Sequence, residues 1–273
     1  MLDISVIIPT YKPSDYLWEC LNSLKKQTLN KNRFEIIIIL NGCDEPFSTN
    51  IQNYIKLYLI DHNVKFIHTN VPGVSNARNI ALEVCSGEYI TFLDDDDSLS
   101  MSCLEEMLNK SKSDVVVECY PYAYKDGDIS HQLKDSLTNA YDVCVEKSYH
   151  TINSFARKFF SGPCMKLFHK DIIDNRKFDI RFKNGEDSIY MFLLSNKIKR
   201  VEYTSRNAIY YRRYRMGSAI NKNRSIKEKI INCFMCIIEY TKIYFKGGYS
   251  AYFYITRLMA ETKSIIMYLL GKK

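Results

Sequence analysis

Apolar and polar positions alternate in blocks over the first 120 residues. Residues 4–9 (ISVIIP) form a short apolar run that stops at a proline, as a buried strand does. Residues 14–27 place Leu17, Trp18, Leu21 and Leu24 on one helical face. Residues 35–40 (EIIIIL) are β-branched almost throughout, the pattern of a strand covered on both faces. A helix is predicted over 50–59 and a strand over 64–68. Gly73 opens a helix over 75–85, which Gly87 ends. A strand over 89–93 (YITFL), a helix over 101–110 and a strand over 114–119 (DVVVEC) follow. Strands alternating with helices predict a mostly parallel, doubly wound α/β sheet.

Such sheets bind ligands beyond the carboxyl ends of their strands. The residues at those ends are Pro9, Thr10 and Tyr11; Asn41 and Gly42; and the run Asp94, Asp95, Asp96, Asp97. All three groups are expected to face one cleft.

The pattern loosens after Tyr120. Residues 121–149 are polar and varied and are expected to be loop or excursion strands. Residues 155–173 mix apolar and basic positions around Gly162 and Pro163, and residues 184–195 begin polar and become an apolar helix. Two further helices are predicted over 226–245 and 251–270, separated by Gly247 and Gly248. There is no internal repeat.

The 273 residues suit one large domain with a modest extension. The net charge of +7 is uneven, because residues 199–273 carry about +12 and residues 1–198 about −5. A uniformly basic nucleic-acid binder is therefore disfavoured. Nine scattered cysteines, an odd number, and a start (MLDIS) with no basic-then-apolar segment fit a reducing cytoplasm. Cys233 and Cys236 are the one close pair. They lie in a helical stretch without a second pair or a nearby His, so helix packing is favoured over zinc.

Four consecutive carboxylates at a strand end repel one another in a cleft of lowered dielectric. A hard divalent cation, Mn²⁺ or Mg²⁺, is the natural compensation, and it can bridge to a diphosphate. Helix capping accounts for one or two of the acids at most. Residues 73–79 (GVSNARN) offer a helix N-terminus with Arg78 one turn in, a weak anion site when taken alone. Glu186 and Asp187 of the Gly-Glu-Asp cluster open an apolar helix. Dipole stabilisation and a general-base role are equally compatible with that spacing. No glycine-rich phosphate loop is present.

The ordered set SVIIPTYK, EIIII, GVSNARN, YITFLDDDD, CMKLF, FKNGED and YYRRY…GS, spanning about residues 4–218, resembles the family 2 glycosyltransferases of bacterial surface-glycan synthesis. The resemblance implies an inverting, metal-dependent enzyme of GT-A fold: a Rossmann-like, mostly parallel sheet flanked by helices, here with a C-terminal helical extension. It implies a nucleotide-sugar-binding half at 1–120 and an acceptor and catalytic-base half at 121–218. A basic amphipathic extension at 219–273 follows. Pro9, Thr10, Tyr11, Arg78, Asp94 and Asp95 are then nucleotide-binding. Asp96 is the metal ligand and Asp187 the catalytic base, with Glu186 and Lys166 on the acceptor side. The implied partners are a nucleotide-sugar, UDP-linked first and GDP- or dTDP-linked next, and a glycan or polyprenyl-linked saccharide.

One position departs from the family pattern. Asn41 stands where an Asp commonly accepts a hydrogen bond from the base, and its amide oxygen can take the same bond. Three readings stay open beside this one. The chain could be a non-catalytic nucleotide or carbohydrate binder on the same fold, against which the intact carboxylates argue. A nucleotidyltransferase is disfavoured by the missing phosphate loop. The C-terminal helices could meet an anionic membrane at the inner face of the plasma membrane, or pack on the catalytic domain, or join two subunits.

Overall fold

The computed structural model describes residues 2–215 and 225–271. Gly217 and Ser218, which contribute to the family resemblance, lie outside the described residues, as does the boundary expected near 218.

The first half follows the alternation read from the sequence. It runs β1 (Ile4–Thr10), α1 (Asp15–Lys25), β2 (Phe34–Asn41), α2 (Phe47–Tyr58), β3 (Asn63–Thr69), α3 (Val74–Val84), β4 (Tyr89–Phe92), β5 (Ser98–Leu99), α4 (Cys103–Lys110) and β6 (Val115–Glu118). The second half runs β7 (Tyr120–Lys125), β8 (Asp128–Leu133), α5 (Ser136–Glu146), β9 (Lys166–His169), α6 (Lys170–Ile173), α7 (Glu186–Leu194), β10 (Arg200–Tyr203), β11 (Ile209–Tyr214), α8 (Ile226–Tyr244) and α9 (Ala251–Leu269).

Seven strands form the main sheet in the order β10-β6-β9-β4-β1-β2-β3. Every pairing is parallel except those of β9, which lies antiparallel between β4 and β6. Both β1 and β2 are buried along their whole length, because helices cover the two faces of the sheet. Helix α1 buries Leu17, Cys20, Leu21 and Leu24, close to the face predicted, while Trp18 stacks on Tyr54 at 4.7 Å between ring centres.

The structure defines two stretches that the pattern left open. Of the loop or excursion strands expected over 121–149, strands are found: the stretch holds most of β7 and all of β8, together with α5, which the pattern did not predict, and β7 and β8 enter a second sheet of order β5-β11-β7-β8. The signal was the alternation of Tyr120, Tyr122 and Tyr124. Pro121 hid it, although its carbonyl still serves by accepting from the Thr138 hydroxyl at 3.0 Å. The mixed stretch 155–173 contains β9, a strand inside the main sheet. Its ends, Lys166 and His169, are buried polar residues and disguised it.

The two C-terminal helices pack together and onto the domain. Cys233, Cys236, Tyr240 and Ile243 of α8 and Phe253 and Arg257 of α9 are buried. Cys233 and Cys236 therefore serve in helix packing. Among the described residues, no helix is long and apolar enough to cross a membrane.

Candidate active site

The carboxyl ends of β1, β2 and β4 meet as the sheet rule requires, and Asn41 joins the first two to α3. Its Nδ2 donates to the Thr10 carbonyl at 2.7 Å, and its Oδ1 accepts from the Gly73 amide at 2.9 Å. The carboxamide that the sequence offers to a nucleobase is thus engaged by the backbone and almost fully buried. Gly42 follows at φ +65°, where a Cβ would stand 2.5 Å from that of Pro72, so only glycine fits this turn. Pro9 and Thr10 are buried at the end of β1, while Tyr11 stands 52% exposed at the cleft edge.

The four aspartates follow β4, and each meets a different partner. Asp94 accepts from Arg78 Nη2 at 3.1 Å, and its amide donates to the Tyr210 hydroxyl at 3.1 Å. Asp95 accepts from Thr10 Oγ1 at 2.5 Å. Asp96 accepts from Arg215 Nε at 2.7 Å, and Asp97 from the Arg213 amide at 2.8 Å. Arg213 Nε also donates to the Asp96 carbonyl at 3.0 Å. The Tyr16 ring lies 4.5 Å from the Arg213 guanidinium and 5.4 Å from that of Arg215. Burial pushes the Asp95 carboxyl up to about 6, with the Thr10 hydrogen bond working the other way. Burial, reinforced by the charges of Asp94 and Asp96, pushes Asp97 well up.

Repulsion within the acidic run is therefore met by two arginines of the chain itself, Arg78 and Arg215, and repulsion alone does not require a metal. The YYRRY segment is plain in the sequence, but its role is not. Strand β11 lies in the second sheet and carries Arg213 to the acidic turn, with Arg215 just beyond the strand.

A divalent cation still fits the donor set. Among the described residues no group of three or more His, Cys, Asp or Glu side chains converges on a metal position. Asp94 and Asp96 nevertheless present hard carboxylate oxygens, with side chains 43% and 20% exposed. Mg²⁺ is commonly held by one or two carboxylates together with substrate phosphates rather than by an all-protein cage.

Arg78 links this turn to the second carboxylate cluster. It is 2% exposed, and its Nη1 donates to Asp187 Oδ1 at 2.6 Å. Burial works against its charge, but the carboxylates of Asp187 and Asp94 outweigh this and raise its pKa. Phe178 lies 5.3 Å beneath the guanidinium, and Arg78 Nε has no hydrogen-bond partner among the described residues. Asp187 sits in the first turn of α7, which starts from Gly185 in the left-handed region at φ +86°. Its side chain is 32% exposed, and Oδ2 lies 3.9 Å from where a Cβ on Gly162 would be. Glu186 adds its charge to the field at Arg78 and at Cys236.

Lys166 lies elsewhere. It is fully buried, with Nζ 3.0 Å from the Cys164 carbonyl and 3.4 Å from Glu118 Oε2, between the rings of Phe159 and Phe160. Hydrogen bonds link Asn41 to Thr10, Thr10 to Asp95, and Arg78 to both Asp94 and Asp187; Pro9, Tyr11, Asp96 and Glu186 adjoin these residues in the chain, and Lys166 lies inside the sheet.

The family model for glycosyl transferase family 2 matches residues 5–176, and the chain belongs to this family. Among relatives, the minor teichoic acid biosynthesis protein GgaB of Bacillus subtilis (strain 168) is 28% identical over 221 residues, 80% of this chain and 24% of the relative. The chain thus spans about a quarter of that relative's length. Among solved structures, S. aureus TarS 1-349 in complex with UDP-GlcNAc matches with a TM-score of 0.71 at 20% identity, covering 98% of this chain and 72% of that one. The mannosyltransferase PcManGT from Pyrobaculum calidifontis, in complex with GDP-Man and Mn²⁺, matches at 0.60 and 13% identity, covering 99% and 76%. At these identities the two structures speak to the fold alone, and that fold is GT-A.

Proposed function

We propose that this chain transfers a sugar from a nucleotide-sugar, with a UDP-sugar as first choice, to a hydroxyl of a glycan or lipid-linked saccharide in surface-polysaccharide synthesis. One observation carries the reading: Arg78 joins Asp94, at the strand end where a donor diphosphate belongs, to Asp187 across the cleft. The UDP-GlcNAc bound by TarS and the teichoic acid role in the name of GgaB favour this class of donor and acceptor.

In this reading Asp187 is the general base. Arg78 holds Oδ1, and Oδ2, beside the small Gly162, takes the proton of the acceptor hydroxyl as that oxygen attacks the anomeric carbon. A single displacement inverts the centre and needs no enzyme nucleophile. Tyr11 offers its ring face to the base, and Thr10 orients Asp95 near the ribose. Asp96, aided by Asp94, would hold Mn²⁺ or Mg²⁺. When bound, such an ion stabilises charge on the leaving diphosphate.

The test is a panel of UDP-, GDP- and dTDP-sugars, with release of the nucleoside diphosphate as the readout, with and without Mn²⁺. Release from one nucleotide class supports a transferase. Tight binding of a donor with no turnover under any condition instead supports a non-catalytic binder on this fold.

A further inference from the structure

We infer that helix α8 is a brace for the catalytic turn, and that Tyr240 and Asn232 are positioning residues for Asp187. The inference rests on the reading of Asp187 as the base.

The turn needs support from outside. Helix α7 begins at Gly185 with no side-chain cap, so its first turn lacks the usual anchor for its free amides. Asp187 stands in that turn. Fraying there would carry Oδ1 away from Arg78.

Helix α8 anchors this turn by contacts of another kind. Asn232, Cys236 and Tyr240 are spaced by four residues and so form one stripe along the helix. Each meets the catalytic turn. Asn232 Nδ2 donates to the Asn184 carbonyl at 3.1 Å. Cys236 Sγ lies 2.9 Å from where a Cβ on Gly185 would be, so a side chain at this left-handed position (φ +86°) would also have to displace the α8 thiol. The Tyr240 hydroxyl, fully buried, lies 2.6 Å from Ser188 Oγ, which in turn donates to the Gly185 carbonyl at 3.0 Å. Three contacts thus bracket residues 184, 185 and 188, with Asp187 inside the bracket.

Helix α9 supports the opposite wall. The Arg257 guanidinium is buried and donates to the Phe160 carbonyl. Phe160 stands two residues before Gly162, the residue that faces Asp187 Oδ2. The C-terminal helical pair therefore fixes both the base and the wall it faces.

Tyr240→Phe keeps the ring and removes only the hydroxyl, and Ser188→Ala removes the same bond from the other side. Both are tested in the full chain. With UDP-GlcNAc as probe, each is expected to lower the rate of UDP release about tenfold while leaving the donor Kd within twofold of wild type. In the Asp187→Asn background, adding Tyr240→Phe should cost nothing further, because the brace acts through the missing base. Amide exchange over residues 184–190 should quicken in each single variant, a readout that needs no turnover. Unchanged exchange in both variants overturns the inference. So does an equal loss of rate in the wild-type and Asp187→Asn backgrounds. Near-normal turnover of Asp187→Asn alone would instead remove the base assignment, leaving the exchange result to judge the brace.

Discussion

Arg78 Nη1 lies 2.6 Å from Asp187 Oδ1, joining two residues 109 positions apart in sequence. Its Nη2 holds Asp94 at 3.1 Å, so one buried guanidinium sets the separation between the acidic turn after β4 and the first turn of α7. A lysine cannot span both, because its ammonium is a single point rather than a planar fork. Arg78→Lys is expected to lower turnover by a factor of about 10 to 100 and to reduce the melting temperature. Steady-state rates with the preferred donor, beside a thermal melt, check this. Wild-type rates would show that the fork is dispensable.

Asp96 faces Arg215 at 2.7 Å, so any cation arriving there meets a carboxylate that is already paired. Asp96→Asn is expected to weaken donor binding at least about tenfold in the presence of Mn²⁺, and much less in its absence. Calorimetric titration with the nucleoside diphosphate, with and without metal, separates the two. Equal weakening under both conditions would assign Asp96 to the nucleotide rather than the metal.

Glu118 and Lys166 form a fully buried pair on neighbouring strands of the main sheet. Burial pushes the Glu118 carboxyl up to about 7, with Lys166 pulling it down. A carboxyl whose pKa is higher in the folded chain favours folding while it is protonated. That contribution is whole below about pH 4.5 and is lost as the pH rises through about 7. The uncharged isostere in Glu118→Gln does not titrate. The wild type should therefore lose up to about 3 kcal/mol relative to this variant between pH 4.5 and pH 8. Urea unfolding of both proteins at the two pH values checks the sign. A constant difference would mean that Glu118 stays in one protonation state throughout.

Much of the scaffold was legible in the chain, for a physical reason. Strands such as β1 and β2 are buried on both faces, so their apolar runs are uninterrupted, and the residues just after them mark the cleft. Asp94–Asp97 and Asp187 stood out because clustered carboxylates are costly without partners. What stayed hidden was tertiary. Strand β9 is short, and its ends are Lys166 and His169, polar residues that only a buried partner such as Glu118 makes tolerable. The roles of Arg213 and Arg215 depend on the second sheet folding back over the acidic turn, and no local pattern reports that. Asn41 carried a readable amide, but its engagement by Thr10 and Gly73 follows from where three loops meet. The stripe Asn232, Cys236, Tyr240 reads as ordinary helix packing until the turn at 184–188 is seen beneath it.

The most direct test of Asp187 as the general base compares wild type with Asp187→Asn under the same conditions, measuring donor affinity by calorimetry and nucleoside diphosphate release by rate. The substitution keeps the size of the side chain and removes its basicity, and a positioned general base contributes roughly 10²- to 10⁴-fold. The expected result is an unchanged donor Kd with turnover reduced by about that factor. Turnover within a fewfold of wild type would contradict it.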